Sequence, residues 1–138
     1  MNTPPRVLII DDNESDVELL KAALEELSQP ATLAIAKNGA KAIEKLKAIV
    51  ATPDLPRLVL LDLNMPAMSG HEVLAFIRSH PALNDVRVVI LTTSMLPADR
   101  DRCIAGGAND YQVKPLRFAD YLDLMRSLFA SHVGANPG

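Results

Sequence analysis

The 138-residue sequence has few of the features that define several large classes of proteins. Cys103 is the only cysteine, which excludes an internal disulfide and a cysteine-based metal cage and makes a cytoplasmic location the default expectation. No apolar run approaches the roughly 20 residues that a membrane span needs, and the N-terminus does not resemble a signal peptide. We therefore expect a protein that is neither exported nor embedded in a membrane.

A strong excess of positive charge is also missing. With a formal net charge of -3, the chain has no electrostatic reason to seek nucleic acid or an anionic membrane, so we expect neither as a partner. No glycine-rich phosphate loop of the nucleotide-binding types occurs. The densest basic group lies at helical spacing and indicates the solvated face of a helix: Lys37, Lys41, Lys45 and Lys47.

What the sequence does contain is a regular alternation of short apolar strands and longer amphipathic helices. The strands are predicted at residues 6–10, 33–36, 58–61, 86–91 and 109–113. The last helix is predicted to end near Ser131. Five such strand–helix pairs with short connections predict an α/β fold, a doubly wound five-stranded parallel sheet with five helices. We expect one domain over residues 1–138, with a core over about 6–131 and a flexible tail over 132–138.

The central strand, residues 58–61, is a wholly apolar run that ends at Asp62. Such a run is typical of a strand buried on both faces, where a charge belongs only at the carboxyl end. Open α/β sheets bind ligands just outside the carboxyl ends of their strands. Asp62 is therefore a candidate for chemistry, although an aspartate that only caps a strand before a turn explains its position equally well.

Four strands end in polar residues of complementary chemistry. Asp11 and Asp12 follow the first strand, Asp62 the third, Thr92 the fourth and Lys114 the fifth. Right-handed crossovers bring the carboxyl ends of parallel strands to one edge of the sheet, so these residues are expected to form one cluster.

This cluster has the composition of a phosphoryl site. Three neighbouring carboxylates repel one another unless a cation neutralises them. Mg²⁺ suits carboxylate oxygens and keeps part of its coordination shell for phosphate. Lys114 and Thr92 can donate to phosphoryl oxygens. Because carboxylates can also act as nucleophiles, a phosphoryl group could be transferred to Asp62 itself.

With these residues the chain resembles the receiver domain of two-component response regulators, from Val7 to about Phe129. The resemblance is carried by Asp11-Asp12, by Asp62-Leu-Asn-Met-Pro with Gly70, by Thr92, and by Tyr111-Gln-Val-Lys114-Pro115. It implies a CheY-like (flavodoxin-like) fold with strand order 2-1-3-4-5. Three segments further resemble the stand-alone regulators paired with phytochrome-type kinases: Asp-Asn-Glu-Ser-Asp-Val, the proline-rich approach to residue 58, and Val-Ile-Leu-Thr-Thr-Ser.

The resemblance implies a role for each matching residue. Asp62 is expected to accept a phosphoryl group from a sensor histidine kinase. Asp12 and Asp62 are expected to bind Mg²⁺ directly, with Asp11 acting largely through water. The backbone carbonyl of Asn64 is expected to bind the metal, and Lys114 is expected to pair with the phosphoryl group. Thr92 is expected to move and form a hydrogen bond to the phosphoryl group, and Tyr111 is expected to turn inward.

Each switch residue also has a simpler structural explanation. Tyr111 could be a half-buried aromatic residue of an edge strand, and Thr92 could cap a turn. The chain departs from many receivers at Thr93, which stands where they have alanine. The sequence therefore does not determine how readily water reaches the phosphorylated site.

Two other functions remain as alternatives. One is a receiver-fold docking module whose site is unused, which is disfavoured because no member of the site is missing. The other is a Mg²⁺-dependent phosphatase, disfavoured because Asn64 stands where a second carboxylate would serve acid–base chemistry. Since no output domain is expected after Ser131, phosphorylation is expected to act through a surface that a partner binds, with no enzymatic activity beyond the protein's own phosphorylation and dephosphorylation.

The last predicted helix carries more apolar residues than one face needs. Tyr121, Met125 and Leu128 form the stripe expected to face the sheet. Phe118 and Leu122 form a second stripe beside it, which predicts a homodimer in which this helix meets its own copy. Burial of both stripes within one chain, or coverage by a kinase helix, would account for the same pattern.

Overall fold

The computed structural model describes residues 3–134, and within them it contains one parallel sheet of five strands. The strands are β1 (Arg6–Ile10), β2 (Thr32–Ala36), β3 (Leu58–Leu61), β4 (Arg87–Thr92) and β5 (Asp110–Val113). Their order in the sheet is β2-β1-β3-β4-β5. The predicted doubly wound fold with strand order 2-1-3-4-5 is confirmed, and strand boundaries differ from the predicted ones by one residue at most.

Five α-helices connect or follow the strands in the described part of the chain. They are α1 (Glu14–Glu26), α2 (Gly39–Ile49), α3 (Gly70–Ser79), α4 (Pro97–Ala105) and α5 (Phe118–Leu128), with a short 3₁₀ turn at Pro81–Leu83. Local sequence explains their ends. Asn13 caps α1 by accepting the N–H of Asp16 at 3.1 Å, and Pro97 begins α4, where a missing N–H costs nothing. Of residues 3–134, no helix has the length and apolar composition to cross a bilayer.

The sheet separates two apolar layers because alternate residues of each strand point to opposite faces. Val7 and Ile9 of β1 pack with α1 and α5, whereas Leu8 and Ile10 pack with α2, α3 and α4. All four residues of β3 are buried, as expected for a central strand covered on both sides. Burying each of these large apolar side chains contributes about 1.5–3 kcal/mol, so the central strand anchors the fold.

The segment after α5 differs from the predicted boundary of the core. A π-helical turn, Phe129–Val133, continues α5, and Phe129 and Val133 are buried. Arg57 donates to the carbonyl of Val133 at 2.6 Å, and His132 Nε2 lies 3.3 Å from Asp110 Oδ2. The prediction that the core stops near residue 131 and that the flexible tail begins at 132 is therefore wrong for residues 132 and 133. Residues 135–138 of that predicted tail lie outside the described residues.

The faces of two helices can be compared with the sequence pattern. The four lysines of the basic group are exposed, as predicted. In α5 the predicted inner stripe of Tyr121, Met125 and Leu128 is buried. The second stripe is only partly free, because Leu122 packs against the same core, while Phe118 keeps 37% of its surface exposed.

Candidate functional site

The strand register brings the predicted site residues to one edge of the sheet. Ile10 pairs with Leu61, and the next N–H along, that of Asp62, donates to the carbonyl of Ile10 at 3.0 Å. Asp11 and Asp62 therefore leave adjacent strands side by side. On the other side of β3, Thr92 pairs with Val113, and the N–H of Lys114 donates to the carbonyl of Thr92 at 2.7 Å. The predicted convergence of these strand ends is confirmed.

Asp11, Asp12 and Asp62 form the acidic part of the site. Each offers a carboxylate oxygen, and these oxygens all lie within 4.8 Å of one another. Asp11 and Asp62 are buried, and Asp12 is exposed. Backbone N–H groups hold the two buried carboxylates, from Asn13 to Asp11 Oδ1 at 2.9 Å and from Asn64 to Asp62 Oδ1 at 3.3 Å. These contacts fix each carboxylate within its own strand-end loop.

Lys114 is the cation of the site, and its side chain is 6% exposed. Its Nζ lies 2.8 Å from Asp11 Oδ2 and 3.2 Å from Asp62 Oδ2. A third carboxylate, that of Asp16 on α1, lies 2.7 Å away. Burial alone would lower the pKa of Lys114, but hydrogen bonds to Asp11 and Asp16 and the charges of Asp11 and Asp62 raise it above its ordinary value. The ammonium therefore stays charged at neutral pH.

The acidic residues are not fully neutralised by this one ammonium. Burial raises the pKa of Asp11 above its ordinary value, against the lowering effect of the hydrogen bonds from Lys114 and from the Asn13 backbone. The charge of Asp62 raises it further. A hard divalent cation binds this type of oxygen donor set, so the residues present fit Mg²⁺. The carbonyl of Asn64 as an additional ligand stays a prediction.

Thr92 and Tyr111 are the two predicted switch residues. Thr92 is fully buried, and its hydroxyl accepts a hydrogen bond from the Asn64 side-chain amide at 3.4 Å. Tyr111 is 5% exposed and donates from its hydroxyl to the carbonyl of Ser94 at 2.9 Å. Tyr111 therefore points inward and is buried rather than half-buried, although β5 is an edge strand, as the simpler explanation supposed. Thr93 is exposed.

A chain of polar contacts extends from Ser94 into α4 and α3. The Ser94 hydroxyl donates to Asp99 Oδ2, and Asp99 Oδ1 lies 3.7 Å from His71 Nε2. Nδ1 of the same imidazole lies 3.8 Å from Cys103 Sγ. Burial and the charge of Arg102 lower the pKa of His71, against the opposing effect of Asp99. Burial also raises the pKa of Cys103 to about 11, which keeps its thiol protonated.

Sequence reasoning missed three contributors to this site: Asp16, the side-chain amide of Asn64, and Ser94. A signal existed for Asp16, because it lies in the first turn of α1, and that helix begins shortly after the carboxyl end of β1. The Asn64–Thr92 and Ser94–Tyr111 hydrogen bonds join residues 28 and 17 positions apart, so no local pattern indicates them.

Comparison with known proteins agrees with this geometry. Residues 7–126 match the response regulator receiver domain, so the chain belongs to that family. Receiver domains are the phosphorylation-based signalling modules of two-component systems. They are phosphorylated by histidine kinases, bind Mg²⁺ at an acidic pocket and are generally non-catalytic.

Individual relatives cover most of the chain. The probable methanogenesis regulatory protein FilR2 of Methanothrix harundinacea is 36% identical over 83% of this chain and 74% of its own length. Among solved structures, the phosphorylated cyanobacterial phytochrome response regulator RcpA has a TM-score of 0.87 at 27% identity, covering 99% of this chain and 100% of that one. The Mn²⁺-bound response regulator Rcp1 has a TM-score of 0.81 at 30% identity, covering 92% and 93%.

Proposed function

We propose that this protein is a response regulator that accepts a phosphoryl group on Asp62 from the phosphohistidine of a sensor histidine kinase. The observation that supports this most directly is the pairing of a buried Asp62 carboxylate with Lys114 Nζ at 3.2 Å, beside two further carboxylates within metal-binding reach. A nucleophile, a cation for the phosphoryl oxygens and a divalent-metal donor set thus occupy one sheet edge.

The proposed reaction is a transfer between two activated bonds. An oxygen of Asp62 attacks the phosphorus of the phosphohistidine, the P–N bond breaks, and the imidazole leaves and takes up a proton. The product on Asp62 is an acyl phosphate, which water later hydrolyses to restore the carboxylate. Mg²⁺ held by Asp11, Asp12, Asp62 and the carbonyl of Asn64 would neutralise the negative charges of the carboxylate and the phosphoryl group, which approach each other during the transfer.

Lys114 and Thr92 receive distinct roles in this proposal. Lys114 donates to a phosphoryl oxygen from the position it already occupies beside Asp62. Thr92 gives up its contact with the Asn64 amide and donates its hydroxyl to another phosphoryl oxygen. Tyr111, already inward, secures the loop after β4 through the carbonyl of Ser94. The signal is the resulting bias between two arrangements of that loop, which a partner protein distinguishes.

We further propose a phytochrome-type kinase as the phosphoryl donor. The likeness to RcpA over almost the whole of both chains supports this choice, since that protein is a phytochrome response regulator.

A homodimer on α5 is the third element of the proposal. Val113, Leu116 and Phe118 keep 41%, 99% and 37% of their surfaces exposed around the start of α5. Leu122 contributes less than its sequence position predicted, because the core already covers part of it. The contact between two copies is therefore centred on Phe118, with Leu122 at its margin.

Incubation with Mg²⁺ and a small acyl or amido phosphate donor tests the phosphoryl transfer without the kinase. Intact mass is expected to show one added phosphoryl group on the wild type, none without divalent metal, and none on Asp62→Asn. Undiminished labelling of Asp62→Asn would remove Asp62 as the acceptor.

A further inference from the structure

Among residues 3–134, Asp16 is the one carboxylate in contact with Lys114 that does not belong to the metal-binding group. Asp11, Asp12 and Asp62 are the three whose oxygens lie together. Asp16 lies on the first turn of α1, where the Asn13 side chain accepts its N–H. Its Oδ2 is 2.7 Å from Lys114 Nζ, the shortest of the three carboxylate contacts of that ammonium.

The contacts of Lys114 create a competition with a metal ion. An ammonium has three N–H groups, and here three carboxylates surround it, from Asp11, Asp16 and Asp62. A divalent ion held by the metal-binding group attracts the carboxylates of Asp11 and Asp62 and repels the ammonium. A side chain that is 6% exposed cannot recover the lost charge pairing from water.

We propose that Asp16 is a positioning residue for Lys114. The Asp16 carboxylate lies outside the metal-binding group and can stay paired with the ammonium. When a divalent ion engages Asp11 and Asp62, Lys114 therefore keeps a counter-charge and stays beside Asp62. This inference rests on the proposed function, because it describes the same site in its metal-loaded form. Its readout is metal affinity and requires no phosphoryl transfer.

A double-mutant cycle with Mg²⁺ binding to the full chain, measured by calorimetry, tests the proposal. Asp16→Asn is expected to weaken Mg²⁺ binding about tenfold when Lys114 is present, because the ammonium then competes for the metal ligands. In the Lys114→Met background the same change is expected to cost about twofold, the effect of one screened charge at a distance. Equal losses in the two backgrounds, or no loss in either, would overturn the proposal.

Two further variants test whether the effect of Asp16 depends on its contact with Lys114 or only on its negative charge. Glu14→Gln removes a carboxylate from the same helical turn, but Glu14 is 79% exposed and pairs with Lys37, so its loss is expected to change Mg²⁺ affinity less than twofold. Asp16→Glu restores a carboxylate and is expected to recover most of the affinity. A Glu14→Gln effect as large as that of Asp16→Asn would contradict a specific role for Asp16. If Asp16→Asn does not fold, Asp16→Ser replaces it in the cycle.

The two proposals fail in different ways. A wild type that binds Mg²⁺ and shows the expected cycle but gains no phosphoryl group contradicts the proposed function alone. A wild type that is phosphorylated on Asp62 but loses equal affinity in both backgrounds contradicts the role of Asp16 alone. A wild type without Mg²⁺ binding contradicts both.

Discussion

Replacing Gly70 by alanine should damage the fold and the site together. Gly70 begins α3, and a Cβ there would lie 2.3 Å from the carbonyl oxygen of Asp62 and 2.8 Å from the Cα of Leu63. The favourable separation is about 3.5 Å, so the overlap exceeds 1 Å and falls on backbone atoms. We expect a loss of about 3 kcal/mol in the free energy of unfolding, the upper part of the usual range for overpacking. The melting temperature should fall by about 10 °C.

Gly39→Ala is the matched control for this substitution. Gly39 begins α2 and is also buried, but its Cβ would meet the side chain of Met68 at 2.8 Å, which can change rotamer. Its stability should stay within about 1 kcal/mol of the wild type. Thermal unfolding by circular dichroism suits a chain without tryptophan. Equal melting temperatures for the wild type and Gly70→Ala would contradict the close approach of Gly70 to the Asp62 backbone.

Three further predictions concern the switch, the dimer and pH. Thr92→Ala should still accept a phosphoryl group but show no phosphorylation-dependent change in partner affinity, and a normal affinity response would remove Thr92 from the switch. Lys114→Ala should impair phosphorylation-dependent signalling. Light scattering at micromolar concentration should show a dimer that Phe118→Glu disrupts and that Leu19→Glu, at an equally exposed position (37%), leaves intact; a wild-type monomer would refute the dimer. Because the pKa of His71 is lowered in the folded protein, the stability it contributes is present above pH about 6.5 and is lost as the pH falls through its folded pKa. His71→Gln should therefore lose less stability between pH 7 and pH 5 than the wild type in chemical denaturation, and parallel losses would contradict this.

The sheet and the main site residues could be predicted because buried parallel strands have a simple sequence pattern. Residues 58–61 are apolar without interruption, and the first polar residue after them marks the carboxyl end of the strand. The position of Asp62 beside Asp11 then follows from topology alone, since all carboxyl ends of a parallel sheet lie on one edge. Knowledge of individual side-chain contacts is not required for that inference.

The contacts that were missed join residues far apart in the chain. Asp16 and Lys114 are separated by 98 positions, and Arg57 and Val133 by 76. Its place in the first turn of α1 puts Asp16 near the carboxyl end of β1, but the helix dipole alone also explains an acidic residue there. Val133 precedes Gly134, and it is buried by packing in the apolar layer of α1 and α5, while its carbonyl accepts the long-range hydrogen bond from Arg57. Such pairings depend on how α1, α5 and the loops pack on the sheet.

Chemical trapping of the phosphorylated residue would identify the phosphoryl acceptor. Borohydride reduces an aspartyl acyl phosphate to homoserine, so the residue that carried the phosphoryl group can be read from a peptide mass spectrum. After treatment with Mg²⁺ and a phosphate donor, we expect homoserine at position 62 and at neither Asp11 nor Asp12. Homoserine at one of those two positions, or a phosphoryl group that stays on a residue resistant to borohydride, would contradict Asp62 as the acceptor.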